Sequence, residues 1–185
     1  YMSGGTVLVN GPAANMNAAL DYDGVFEISG GLLIAAGSSG MAQLPSEEST
    51  QNSILMYYPQ VQQAGTIINL KDDTGKTIVT FAPQKEYQSV AISSPELKKD
   101  MAYTLNSAGT STGSNTDGLY IDGEYNDGTK VVEFTISKSV TWMSETGETT
   151  AKSFGPGGGK GAGMGERPKR PENGMPPVNP PINQN

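Results

Sequence analysis

Ser3-Gly4-Gly5-Thr6-Val7-Leu8-Val9-Asn10-Gly11 returns as Ser29-Gly30-Gly31-Leu32-Leu33-Ile34-Ala35-Ala36-Gly37, an offset of 26 residues. Between the copies, residues 19–28 alternate apolar and polar side chains around Asp23-Gly24. Such alternation is the period of an extended strand. One period therefore holds about three short strands separated by Gly- or Asn-rich corners, the layout of one coil of a parallel β-helix. Sharp corners favour Gly at positive φ and Asn or Asp in the left-handed region. A β-meander whose hairpins share a Ser-Gly-Gly turn is the competing reading. The two differ in one respect: a coil stacks Ser3 and Ser29 in parallel, whereas a meander joins them by a reversal.

Beyond residue 50 the pattern changes. Strand-like runs occupy 54–58, 66–70, 77–81, 88–93, 102–105, 118–121 and 131–136, with turn signals between them. Lys71-Asp72-Asp73-Thr74-Gly75-Lys76 is polar throughout and flanked by alternating β-formers, which predicts a hairpin tip. No stretch has a helical period; residues 94–99 have room for a single turn. A coiled ladder ends in an open edge and an apolar interior that need covering. The expectation is an all-β chain in three parts: terminal β-helix coils over 1–50, a β-structured capping region over 51–154, and a Gly/Pro-rich tail over 155–185. The tail runs from Gly155-Pro156-Gly157-Gly158 to Pro180-Pro181, which is linker composition. The chain opens inside a repeat, which reads as a fragment or processed form of a longer protein.

Charge separates body from tail. The tail carries four cations against two carboxylates, +2, so the chain's −7 leaves −9 in the body. Both arginines lie in the tail, and the acidic body argues against nucleic-acid binding. His and Cys are absent, which removes histidine triads, thiol nucleophiles, disulfides and the usual zinc ligands. No apolar run has the length of a membrane span.

Several stretches together resemble a known family. They are 4–12, Ala19-Leu20-Asp21-Tyr22-Asp23-Gly24, 28–42, Phe81-Ala82-Pro83, 90–97 and Thr116-Asp117-Gly118-Leu119-Tyr120. Over about residues 3–140 the chain resembles the C-terminal part of the clostridial carbohydrate-binding domain family. The resemblance implies a right-handed parallel β-helix like that of pectate lyases, bound calcium, a place outside the cell, and binding of cellulose or polygalacturonate. The family's repetitive N-terminal coils have no counterpart here, so sites on those coils are not carried over.

Individual residues sharpen these expectations. Asp21 and Asp23 share a face of an extended segment, with Asn15 and Asn17 close in sequence. Carboxylate and amide oxygens suit Ca²⁺, giving Asp21, Asp23 and Asn17 as candidate ligands. Shaping a corner through bonds to their own backbone is the alternative for the two Asp residues. Asp117-Gly118, Asp122-Gly123 and Asp127-Gly128 lack an EF-hand's spacing and read as turns. A two-residue turn at Asp122-Gly123 would set Tyr120 opposite Tyr125, either a flat platform for a sugar ring or an ordinary cross-strand pair. Tyr58 and Trp142 are further carbohydrate-binding candidates beside Tyr57, with at least one of the adjacent tyrosines expected inside.

Catalytic residues are not evident. Lyase chemistry on a uronate needs a base beside calcium, and the body has no Arg and eight scattered Lys. Glycoside hydrolysis needs two opposed carboxylates, and no pair has a motif around it. The expected function is non-catalytic, calcium-assisted binding of an extracellular polysaccharide at the cell surface. Alternatives are a structural surface or filament protein, self-associating through its coil ends or tail, and an accessory domain of a polysaccharide-degrading enzyme.

Overall fold

The computed structural model describes residues 1–14 and 17–152. The tail over 155–185 and Asn15 lie outside them. All the regular elements described are strands: β1 (Met2–Asn10), β2 (Ile28–Gly37), β3 (Ser53–Gln62), β4 (Ile68–Asp72), β5 (Thr77–Phe81), β6 (Tyr87–Ser93) and β7 (Ala102–Ser107). Then come β8 (Thr110–Ser111), β9 (Ser114–Thr116), β10 (Leu119–Ile121), β11 (Tyr125–Asn126), β12 (Thr129–Thr135), β13 (Val140–Ser144) and β14 (Gly147–Thr149). The chain is all-β, with no helix among the described residues.

The repeat pairs in parallel. Thr6 lies opposite Leu32 and each following residue keeps the 26-residue offset as far as Asn10 opposite Ala36. One extra residue of β1 is absorbed between Ser3 and Thr6, where Gly5 takes φ +80°. The meander reading is therefore set aside for these two strands. The ladder does not continue as a solenoid, however. β6 pairs antiparallel with β2 on one side and with β3 on the other, and β13 then adds parallel to β3. The result is a mixed six-stranded sheet in the order β1-β2-β6-β3-β13-β14.

Among the described residues the strands form layered sheets and no parallel β-helix solenoid, and the reason lies in strand composition. Leu33-Ile34-Ala35-Ala36, Ile54-Leu55-Met56-Tyr57-Tyr58 and Val90-Ala91-Ile92 are apolar on both faces and buried. Such strands need cover on either side. One face (Ile34, Ile54, Met56, Tyr58, Ile92) packs on Ile68, Leu70, Val79, Phe81 and Leu105 of a second, antiparallel sheet ordered β12-β7-β4-β5-β10-β9. The other face (Ala35, Leu55, Tyr57, Ala91, Val140) is covered by Ala19 and Leu20 from the β1–β2 connection and Ala42 and Leu44 from the β2–β3 connection.

These two connections run side by side and exchange hydrogen bonds. The Tyr22 N–H donates to Gln43 Oε1 (3.0 Å), the Phe26 N–H to Ser46 Oγ (2.9 Å), and the Ser46 N–H to the Phe26 carbonyl (2.8 Å). The strands from Ser53 to Thr149 therefore supply both the remaining strands of the first sheet and the whole of the second.

The expected hairpin tip joins β4 to β5. Asp72 Oδ1 accepts from the Thr74 N–H (3.0 Å), the Thr74 hydroxyl (2.7 Å) and the Lys76 N–H (2.9 Å). These bonds hold its carboxyl below the usual range, with the Thr74 hydroxyl first among them. Of the three Asp-Gly pairs, Asp117-Gly118 is the reversal: both residues have positive φ, and Leu119 pairs with Thr116 across it. Asp122-Gly123 is not a turn. It lies within the returning arm opposite Gly113, whose added Cβ would stand 2.2 Å from the Asp122 carbonyl oxygen. Pairing resumes beyond it, Thr112 N–H to Glu124 carbonyl at 3.0 Å, so the element is a bulge.

Candidate carbohydrate-binding face

Because Asp122-Gly123 is a bulge, the predicted Tyr120–Tyr125 pair does not form across it. Tyr120 pairs with Asn115 and Tyr125 with Ser111, in two different sheets. Tyr125 is held by other groups. Its hydroxyl donates to the Ala108 carbonyl (2.8 Å), and Lys71 Nζ stands 5.4 Å over its ring. An added Cβ at Gly128 would fall 1.7 Å from the phenol oxygen, so the ring closes directly on backbone. Tyr58 is 2% exposed and packs edge-to-face on Tyr87 at 5.5 Å, inside the inter-sheet core. Neither ring is a free platform. Tyr57 is also buried, because its face of the sheet is covered as well.

Trp142 has a different setting. It sits mid-β13, opposite Leu55 of β3 and Thr149 of β14. Its half-buried indole stacks beside Tyr57, centroids 6.0 Å apart and planes 17° apart. Lys152 places Nζ 4.3 Å over the Tyr57 ring, and its N–H donates to the Tyr57 hydroxyl (3.3 Å). Burial pushes the Tyr57 phenol above its ordinary pKa, opposed by that N–H.

Two grooves flank this pair. One, of about 370 Å³, is lined by Trp142, Tyr22, Gln43, Met41 and Lys152. The other, of about 240 Å³, is lined by Tyr57, Pro59, Ser144, Glu145, Thr149 and Lys152. Tyr22 is fixed by its hydroxyl, which donates to the Leu44 carbonyl (2.5 Å), and by an edge-to-face contact with Phe26 at 5.6 Å. Flat aromatics beside amide, hydroxyl and ammonium groups suit a ligand with apolar C–H faces and a polar rim. Tyr22 and Lys152 were not singled out by sequence. Nothing in a lone Lys signals a cation–π contact, and Tyr22 was hidden between two more conspicuous carboxylates.

Those carboxylates, Asp21 and Asp23, are exposed, as is Asn17, whose carbonyl accepts from the Ser38 hydroxyl. Two carboxylates and an amide fall short of the six to eight oxygens that Ca²⁺ takes. Among the described residues no three His, Cys, Asp or Glu side chains come together as a metal group. Corner carbonyls and water would have to supply the remaining oxygens of a calcium site in this loop. Nor is any helix among the described residues long and apolar enough to cross a membrane. Compared with protein-family models, curated proteins and solved structures, the chain gives no match.

Proposed function

We propose that the protein is an extracellular, non-catalytic polysaccharide-binding module whose glycan lies on Trp142, which the buried Tyr57 ring supports from the side. The stacked pair with a groove on each side and Lys152 bordering both is the observation that carries this reading. The sequence resemblance over residues 3–140 supports the same class of ligand, cellulose or polygalacturonate. In this reading β1 and β2 are neighbouring rungs at the end of a parallel β-helix, with the remaining strands folded against them as a cap.

Charge divides the ligands. A body of −9 repels polygalacturonate unless a divalent cation bridges the carboxylates, so pectin binding should disappear with EDTA. Stacking on a neutral glucan should survive the chelator. Affinity-gel electrophoresis on both polysaccharides, with and without EDTA, separates the two modes. Trp142→Ala is expected to weaken glycan binding by about ten-fold or more while leaving the far-UV spectrum unchanged. Unaltered retention of a folded Trp142→Ala protein would overturn the proposal.

A structural, self-associating surface protein is a second reading, favoured by the outer edge of β1, which pairs with no strand among the described residues. Monodisperse monomers in light scattering would count against it.

A further inference from the structure

Gly4 and Gly30 occupy equivalent places in the repeat but not equivalent surroundings. A Cβ added at Gly30 would stand 2.5 Å from the Ser3 carbonyl oxygen, and one at Gly31 would stand 2.6 Å from the Gly5 carbonyl oxygen. The glycine pair of β2 is therefore what lets the backbone of β1 lie against it. A Cβ at Gly4 would meet nothing within 4 Å, and Gly4 has no positive φ that would demand glycine. Nothing in the described chain needs a glycine there.

The same edge is unfinished in two other ways. The Gly11 N–H donates to the Ala36 carbonyl (2.8 Å). Donors alternate along a parallel ladder, so Val9 and Val7 also donate towards β2, and the N–H groups of Thr6, Leu8 and Asn10 point away from it. Beside that edge lies a groove of about 560 Å³. Leu8 and Asn10 of β1 line one side, and Leu119 and Ile121 of β10 line the other. Leu8 and Leu119 are only partly covered and Ile121 is 51% exposed, so the sandwich is open along this side.

We infer that the outer edge of β1 accepts one more parallel strand of the Ser-Gly-Gly type, standing to β1 as β1 stands to β2. The incoming Ser carbonyl then rests on Gly4, its backbone pairs with Thr6, Leu8 and Asn10, and its alternate apolar side chains close the groove over Leu8 and Ile121. The occupant is an extended peptide segment bearing this repeat. A second copy pairing β1 with β1 about a two-fold axis would run antiparallel, which places no carbonyl at the equivalent of the Ser3–Gly30 contact.

The test uses the 185-residue chain and a synthetic peptide with the Met2–Asn10 sequence at about 1 mM, where even weak strand addition is measurable. Amide hydrogen exchange followed by NMR should slow at Thr6, Leu8 and Asn10 when the peptide is added. A spin label on the peptide's N-terminus should broaden the Ser3 end of β1 rather than the Asn10 end. Gly4→Val should leave the melting temperature unchanged and weaken peptide binding by about ten-fold or more. Thr6→Pro, which removes one outward donor, should weaken it independently. Three results would each overturn the inference: no peptide-dependent slowing in the unmodified chain, broadening at the Asn10 end, or slowing that tracks protein concentration without peptide.

Discussion

The two sheets of the sandwich are built from different kinds of strand. In the mixed sheet, β3 is buried at six successive residues, Ser53 to Tyr58, and β2 at five, Leu33 to Gly37. In the antiparallel sheet, β12 buries Val132 and Phe134 while Lys130, Glu133 and Thr135 are exposed. A strand that alternates has one face in water, whereas a strand without alternation is covered on both. The first sheet is therefore the middle layer of three, clad outside by the irregular connections carrying Ala19, Leu20 and Ala42. Those connections also carry Tyr22 and Gln43, so the cladding that buries the sheet also supplies one wall of the proposed glycan face.

The comparison breaks first at core substitutions. Leu55→Ala, on the clad face, should cost about 2–5 kcal/mol in urea unfolding, because its cavity is lined on all sides. Thr135→Ala, on the wet face, should stay within about 0.5 kcal/mol. A small effect at Leu55 would mean that the cladding is not packed. Backbone crowding comes next. Gly30→Ala drives a Cβ to 2.5 Å from the Ser3 oxygen, and Gly118→Ala to 2.3 Å from the Ala82 oxygen at φ +92°. Each should lose about 1–3 kcal/mol, with Gly118 the worse because its conformation is also strained.

Tyrosine chemistry sharpens the contrast further. Tyr87 donates its hydroxyl to the Thr66 carbonyl (3.1 Å), whereas the Tyr58 hydroxyl finds no partner among the described residues. Tyr87→Phe should cost about 0.5–1.5 kcal/mol, and Tyr58→Phe should be neutral or stabilising. Chemical denaturation of both variants decides it. Burial raises both phenols above the ordinary tyrosine pKa. The unfolded chain then releases these protons first, so stability is unaffected below about pH 10 and falls as the pH rises above it. The phenolate absorbance of Tyr58 and Tyr87, isolated as the difference from their Phe variants, should appear together with the loss of folded structure rather than before it.

How much of this was legible differs from element to element. The 26-residue offset and the 71–76 tip could be read directly, since a repeat and a short hairpin are local in sequence. Strands 77–81 and 88–93 were also visible from alternation and β-branched content. β13 was not: Val140-Thr141-Trp142-Met143-Ser144 is short, and its partner Leu55 lies far back in the chain. The Tyr120–Tyr125 platform failed because Asp-Gly favours positive φ equally in a tight turn and in a bulge, and only the opposing Gly113 decides which. Tyr58 failed because a second sheet covers it, and a strand's own residues do not say what lies above them.

By itself the sequence determined that the body is β-structured, that β1 and β2 carry matching rungs, and that the tail differs from the body in charge and composition. Tertiary structure alone decided that β6 enters between β2 and β3, that Trp142 comes to rest beside Tyr57, and that β1 stands at the edge of its sheet among the described residues. The reason is that a period-two pattern specifies which faces must be buried but not which strand does the burying. That choice rests on long-range backbone pairing, whose hydrogen bonds are chemically alike whichever partner makes them.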